Sequence, residues 1–211
     1  MILFYAIVGL IGYLLGALPF GYLVARAKGV NIFEVGSKNP GATNVRRVLG
    51  HGPGNLVLFL DALKGAVAAG WPRFLGPIAE VESVCVAGLV AAILGHSFSC
   101  FTGFKGGKSV ATGAGGFLVL FPVGMLVGFG VFGTAVGLSR MISLGSMLGA
   151  AALPITAVIL QSSTLLVSVA AVVALFVILR HRANISRILA GTESKIGRPA
   201  AASAAPDAPK S

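Results

Sequence analysis

Four polar stretches interrupt an otherwise apolar chain, and they hold nearly every residue able to do chemistry. The first runs Gly36-Ser37-Lys38-Asn39-Pro40-Gly41-Ala42-Thr43-Asn44-Val45-Arg46-Arg47. Gly and Pro break any helix there. Freed backbone N–H groups beside Ser37, Thr43 and Arg47 suit a phosphate oxyanion. A plain interfacial loop is the blander reading, but so many donors without acidic partners favours an anion site. The second is Gly95-His96-Ser97-Phe98, then Phe101 to Thr112, a stretch containing Lys105-Gly106-Gly107-Lys108-Ser109. Its Gly-Lys-Ser is not a nucleotide P-loop, which needs four residues between its first Gly and the Gly-Lys pair. Only three separate Gly103 from Gly107, position 102 is Thr, and no strand pattern precedes it. A Gly-rich turn entering a helix still offers amide donors and a lysine to an anion. Taken alone, His96 reads as a packing or capping residue.

The third stretch is Ser139-Arg140-Met141-Ile142-Ser143-Leu144-Gly145-Ser146. Arg140, Ser143 and Ser146 recur every three residues, which predicts one stripe on a helix. The fourth is Arg180-His181-Arg182-Ala183-Asn184-Ile185-Ser186-Arg187, followed by Gly191 to Gly197. Basic residues after a last span are ordinary topology signals. His181 and Asn184, one helical turn apart, suggest more. Inside an apolar run, Asp61 and Lys64 lie three residues apart on a predicted helix. Ionisable groups at that depth face the protein interior, either neutralising each other or serving a site.

The elements that position these stretches are membrane spans. The chain has 211 residues, is 56% hydrophobic and only 10% charged, with mean hydropathy +0.94. Soluble domains carry about 25% charged residues, so a soluble enzyme, a disordered chain and a disulfide scaffold are excluded. Cys85 and Cys100 read as reduced packing residues. Apolar runs cover Met1–Val24, Leu56–Trp71, Ile78–Leu94, Val110–Leu138 and Leu144–Leu179. A span needs about 20 residues, so the last two runs are long enough to divide, at Pro122 and at Gln161-Ser162-Ser163. The first run lacks a leading basic residue and is too long for a signal-peptide core; it is expected to remain as a span.

Charge placement favours seven spans over five. With the N-terminus outside, all of the 16 Lys and Arg except Lys64 and Arg73 fall on one side, a strong positive-inside asymmetry. The expected fold is therefore an all-α integral membrane bundle of about seven helices, with a cytoplasmic C-terminus. Residues 1–198 form one transmembrane domain, and the Ala/Pro/Ser-rich 199–211 is expected to be a disordered tail. The net charge of +10 matches loops beside an anionic leaflet, not nucleic-acid binding, for which no signature is present. No metal-ligand spacing occurs, and no nucleotide or redox cofactor is indicated.

GSKNPGATN with Arg47, DALKG from Asp61, GHSFSCFTGFKGGKSVAT, SRMISLGS, and HRANISR with GTESKIG occur in this order. The sequence resembles the bacterial acyl-phosphate:glycerol-3-phosphate acyltransferases, small integral-membrane enzymes that make lysophosphatidic acid. The likeness runs from the first span to about Gly197. Two positions depart from it: Lys38 stands where many members carry Gly, and Ser109 where Gly is commoner.

The resemblance implies transfer of a fatty acyl group from acyl phosphate to the sn-1 hydroxyl of glycerol 3-phosphate. The products are 1-acylglycerol 3-phosphate and inorganic phosphate, formed at the cytoplasmic edge of the inner membrane by a chain working as a monomer. It implies a catalytic set of Ser37, Arg47, His96, Lys108 and Asn184. The implied substrate-binding set is Asn39, Thr43, Asn44, Lys64, Lys105, Gly106, Gly107, Arg140, Ser143, Ser146 and His181. Of these, Ser37, Thr43, Arg47, Lys108 and Ser143 are assigned to phosphate. His96, His181 and Asn184 are assigned to glycerol phosphate or the acyl carbonyl. No strong general base is evident, and the hydroxyl proton is expected to pass to substrate phosphate or to His96. The chemistry agrees, because a mixed anhydride has a good leaving group and needs mainly positioning and oxyanion stabilisation. Two rivals fit less well. Acyl-CoA-dependent enzymes pair a His with an Asp five positions on, and none of the three histidines has one. An organic-anion or phosphate transporter would hold ions near the midplane between repeated halves, whereas these cations cluster at one edge and no repeat occurs.

Overall fold

The structure is a computed structural model that describes residues 1–75 and 80–197. The expected disordered tail lies outside the described residues. Among these the regular elements are all helical: α1 (Ile2–Ala17), α2 (Phe20–Arg26), α3 (Ala42–Leu49), α4 (His51–Gly70), α5 (Val81–Ser97), α6 (Val110–Leu120), α7 (Pro122–Ser139), α8 (Ile142–Ile159), α9 (Thr164–Arg180) and α10 (Arg182–Leu189). Short 3₁₀ turns occupy Trp71–Leu75 and Cys100–Thr102. Large apolar side chains such as Leu10, Phe59, Leu126, Val158 and Leu175 are exposed on the long helices. Helices apolar on all sides belong in lipid.

The long apolar runs divide where the sequence predicts. Pro122 takes the first turn of α7, where its missing N–H costs nothing. At the other break Gln161 adopts φ +51°, and Ser163 caps α9 by accepting from Leu166 N at 3.1 Å. Four stretches among the described residues are long and apolar enough to cross a membrane: Ile2–Arg26, Val81–Thr102, Pro122–Ser139 and Ile142–Ile159. A fifth is added if α9 and α10, bent by 59°, count as one span. The helix α4, which carries Asp61 and Lys64, and the 11-residue α6 are not among them.

Close packing comes from small residues. A side chain at Gly16 would strike the Ala92 backbone, and one at Gly95 the Tyr13 carbonyl, so α1 lies directly on α5. Gly65 and Gly115 bring α4 against α6 in the same way, through Thr112 and Ala62. Such contacts are the usual adhesive between helices in lipid. A second core of Leu89, Ile93, Phe117, Leu153, Val169 and Val173 joins α5, α6, α8 and α9.

Helix ends sort into two groups. At one end, Tyr5 donates to Glu80 at 2.9 Å, and Ser163 donates to Glu82 at 2.6 Å. At the other, Ser99 donates to Ala17 O at 2.6 Å, Arg180 to Gly107 O at 2.8 Å, and Ile196 N to Arg140 O at 2.8 Å. All four polar stretches gather around this second end. Arg140, Ser143 and Ser146 do not share a helix stripe, because Arg140 ends α7 at φ +61° and α8 starts only at Ile142.

Candidate active site

The first polar stretch is shaped by one buried amide. Asn44, at the start of α3, accepts from Ser37 N at 2.8 Å and Arg47 Nη1 at 3.4 Å, and donates to Val35 O at 3.1 Å. It folds the loop back on itself and presents Ser37, Lys38 and Asn39 to a cavity. Asn39 additionally accepts from Gly41 N at 2.9 Å. Lys38 sits at φ +55°. Thr43 and Arg47 are exposed, and neither lines that cavity.

The glycine turn between α5 and α6 is held on both faces. On one, Gly107 N donates to His96 O at 3.1 Å, and a side chain at Gly107 would overlap the His96 ring. On the other, Arg180 Nη2 donates to Gly106 O at 3.2 Å and Gly107 O at 2.8 Å, with the guanidinium 5.3 Å from the Phe98 ring. Ser109 follows at φ +59°, buried, donating to Ile93 O at 2.8 Å and lying 2.7 Å from Ser97 Oγ. Its hydroxyl bonds offset a left-handed backbone that glycine adopts freely. Lys38 and Ser109 thus both fall at positive φ. Lys105, at the tip, is exposed.

Beyond the turn, Lys108 Nζ donates to Asn184 Oδ1. Asn184 Nδ2 donates to Glu193 Oε1 at 2.6 Å, which also accepts from Ser143 Oγ at 2.6 Å. Arg187 Nε donates to Glu193 Oε2 at 2.7 Å. Glu193, only 9% exposed, therefore ties α8, α10 and the C-terminal segment together. Burial opposes its charge, but the bonds from Ser143, Asn184 and Arg187 hold its carboxyl below the usual range. Lys108 is pushed down to about 8, mainly by burial. Glu193 resists that shift, whereas Arg187, Arg47 and Arg180 add to it. His181 is pushed down to about 4 by burial and by Lys108, so it is neutral at physiological pH. Its Nδ1 lies 2.7 Å from Val177 O; as the donor there, it leaves Nε2 an acceptor.

These groups surround a cavity of ≈ 420 Å³. Ser37, Lys38, Asn39, Lys108 and Asn184 meet Arg180, Arg182 and Arg187 there, against an apolar wall of Phe176 and Leu179. Ser143 and His181 stand behind it through Glu193 and Lys108. Ser146 is buried and donates to Ile142 O in its own helix at 2.8 Å. Arg140 is exposed, with its carbonyl held by Ile196. His96 and Lys64 line a separate space of ≈ 10 Å³ beneath the glycine turn, together with Asp61, Lys105, Gly106 and Gly107.

Sequence reasoning missed Glu193, Asp61's link to His96, and the cavity roles of Lys38, Arg180, Arg182 and Arg187. The basic residues read as membrane flank. Glu193 carried a signal: it is the single carboxylate between Arg180 and Arg198, and a lone acid among cations is usually paired.

A helical membrane protein with a cation-ringed cavity at one end of its bundle is the class these features define. The family model described as glycerol-3-phosphate acyltransferase matches residues 6–191, and the chain belongs to that family. Among curated relatives, the glycerol-3-phosphate acyltransferase of Nostoc sp. (strain PCC 7120) is 48% identical over 206 residues, 90% of each chain. That of Geobacter sulfurreducens is 45% identical, covering 88% of this chain and 94% of its own. A crystal structure of PlsY (YgiH), an integral membrane glycerol 3-phosphate acyltransferase in its glycerol 3-phosphate form, superposes with TM-score 0.86 at 35% identity, over 92% of this chain and 96% of that one. Its lysophosphatidic acid form gives TM-score 0.83. The chain is thus an integral membrane acyltransferase of glycerol 3-phosphate.

Proposed function

We propose that the acyl donor is a fatty acyl phosphate and that the product is 1-acylglycerol 3-phosphate, released with inorganic phosphate. The observation that carries this reading is the two-faced cavity. Cations and amides from three polar stretches form one wall, while Phe176 and Leu179 form the other. Lys108, Asn184 and Ser37 hold the phosphate of glycerol 3-phosphate, with Arg47 adding charge at the rim. Neutral His181 orients the glycerol hydroxyl through Nε2. Lys38, Arg180 and Arg182 receive the acyl phosphate headgroup, and its chain passes along Phe176 into lipid.

The hydroxyl oxygen attacks the acyl carbon, the bond from that carbon to the phosphate oxygen breaks, and inorganic phosphate leaves. The hydroxyl proton passes to a substrate phosphate, whose second pKa of about 6 suits an acceptor near neutrality. The charge asymmetry of the loops supports seven spans, an outside N-terminus and a site at the cytoplasmic face of the inner membrane. The cavity is complete within one chain, which supports a working monomer. Its cations sit at one end of the helices, where a transporter would place them near the midplane.

Phosphate release from detergent-solubilised protein tests the reading, with palmitoyl phosphate, palmitoyl-CoA and acyl carrier protein thioester compared in parallel. Release that requires both palmitoyl phosphate and glycerol 3-phosphate is expected. Turnover of either thioester without palmitoyl phosphate, or no reaction with any donor, refutes it.

A further inference from the structure

Three ionisable side chains meet beneath the glycine turn, away from the larger cavity. Asp61 Oδ1 lies 2.9 Å from Lys64 Nζ and 3.5 Å from His96 Nδ1. Asp61 is 2% exposed and Lys64 4%. Lys64 also donates to Leu18 O at 2.8 Å and stands 5.5 Å from the Phe20 ring. The carboxylate is therefore fixed to the junction between α1 and α2. Removing an ion pair from water costs several kcal/mol that its own attraction often fails to repay, and membrane depth adds to that cost. An apolar pair would hold α4 at less cost, so the placement calls for a positional reason.

That reason lies at His96. Asp61 faces Nδ1 across 3.5 Å, an electrostatic contact longer than a hydrogen bond, which favours this orientation of the ring. The opposite ring edge, Nε2, is the surface on which Gly107 rests; a methyl there would overlap it. The His96 carbonyl accepts from Gly107 N at 3.1 Å. Lys108 is the next residue. We propose that Asp61, Lys64 and His96 are positioning residues, a buried charged prop that sets the height of the Gly106-Gly107 turn and so aims Lys108 into the phosphate cavity. On this reading His96 and Lys64 act through the turn rather than on substrate, in place of the direct contacts that the resemblance implies for them. The inference rests on the proposed role of Lys108 toward glycerol 3-phosphate.

Two variants test it, each assayed with wild type for thermal stability in detergent and for kcat and KM toward both substrates. In Asp61→Asn/Lys64→Met both charges go together, so no lone charge is buried. In His96→Asn the amide nitrogen replaces Nδ1 as a partner for Asp61, and only the ring edge beneath Gly107 is lost. With Tm near wild type, KM for glycerol 3-phosphate is expected to rise about 10-fold or more in both, since small misplacements at a site are costly. KM for palmitoyl phosphate and kcat should stay within about 3-fold, because no group touching the reacting atoms has changed. Folded variants with unchanged KM for glycerol 3-phosphate overturn the proposal. So does a kcat loss of about 100-fold at saturating substrate, the signature of a general base. If the double variant does not fold, His96→Asn decides. A wild type inactive with palmitoyl phosphate would instead defeat the proposed function.

Discussion

Lys108 makes activity and stability respond to pH with opposite signs. Its ammonium, pushed from 10.5 to about 8 chiefly by burial, is the charge proposed to hold glycerol 3-phosphate. As pH rises through about 8 the free enzyme loses that charge. kcat/KM for glycerol 3-phosphate should then fall about tenfold per pH unit. Stability moves the other way. The folded pKa lies below the unfolded one, so the unfolded chain binds more protons between about 8 and 10.5, and stability rises with pH across that window. The fall from 10.5 to about 8 is worth about 3 kcal/mol, fully present above 10.5 and lost as pH falls to 8. His181, neutral above about 4, contributes to neither limb in this range. The measurement is kcat/KM against pH from 6 to 10, beside thermal unfolding in the same buffers. Lys108→Arg should abolish the alkaline break, because guanidinium stays charged. A wild-type profile flat to pH 10, or an unchanged break in Lys108→Arg, would refute the reasoning.

Three further outcomes follow from the same geometry. Glu193→Gln keeps an acceptor for Ser143 and Asn184 but turns an amide toward Arg187. Losing that charged bond should cost about 2 kcal/mol, a Tm fall of about 4–8 °C, with lower activity as Asn184 loosens. Wild-type Glu193 contributes stability above its unfolded value that is lost as pH falls through the depressed folded one, so an acid titration of Tm should flatten in the variant. Gly107→Ala must displace the His96 ring and should cost about 100-fold in kcat/KM, whereas Gly103→Ala, at φ +61° with nothing within 4 Å, should cost about 1 kcal/mol of stability and little activity. Ser109→Gly relieves a left-handed backbone but deletes buried hydroxyl bonds to Ile93 and Ser97; the lost bonds outweigh the relief, and Tm should fall by a few degrees, equivalent to about 1 kcal/mol.

What the sequence made legible was local. Pro122 and the Gln161-Ser162-Ser163 turn break helices by backbone rules that act within a few residues, and the structure breaks there. The glycine turn and the His181–Asn184 spacing were readable for the same reason. What stayed hidden depends on contacts across the chain. Ser143 and Glu193 are 50 residues apart, and Lys108 and Asn184 are 76 apart; no periodicity joins them. The expected stripe through Arg140 failed because a three-residue spacing says nothing about where a helix begins, and Arg140 caps the preceding one.

Lys38 and Ser109, two non-glycine residues at positive φ, show how these levels connect. Substituting a glycine normally changes side-chain chemistry and backbone freedom together. At Ser109 the left-handed conformation is retained because a buried hydroxyl reaches the α5 carbonyl of Ile93, which a methyl side chain could not do. At Lys38 the same conformation lies at the cavity rim, where the side chain has solvent and adds a cation beside Asn39. One left-handed backbone is compensated by packing, the other by exposure. Each holds the backbone path of a turn beside the cation-ringed cavity, and neither compensation is visible until the segments on either side of the turn are seen together.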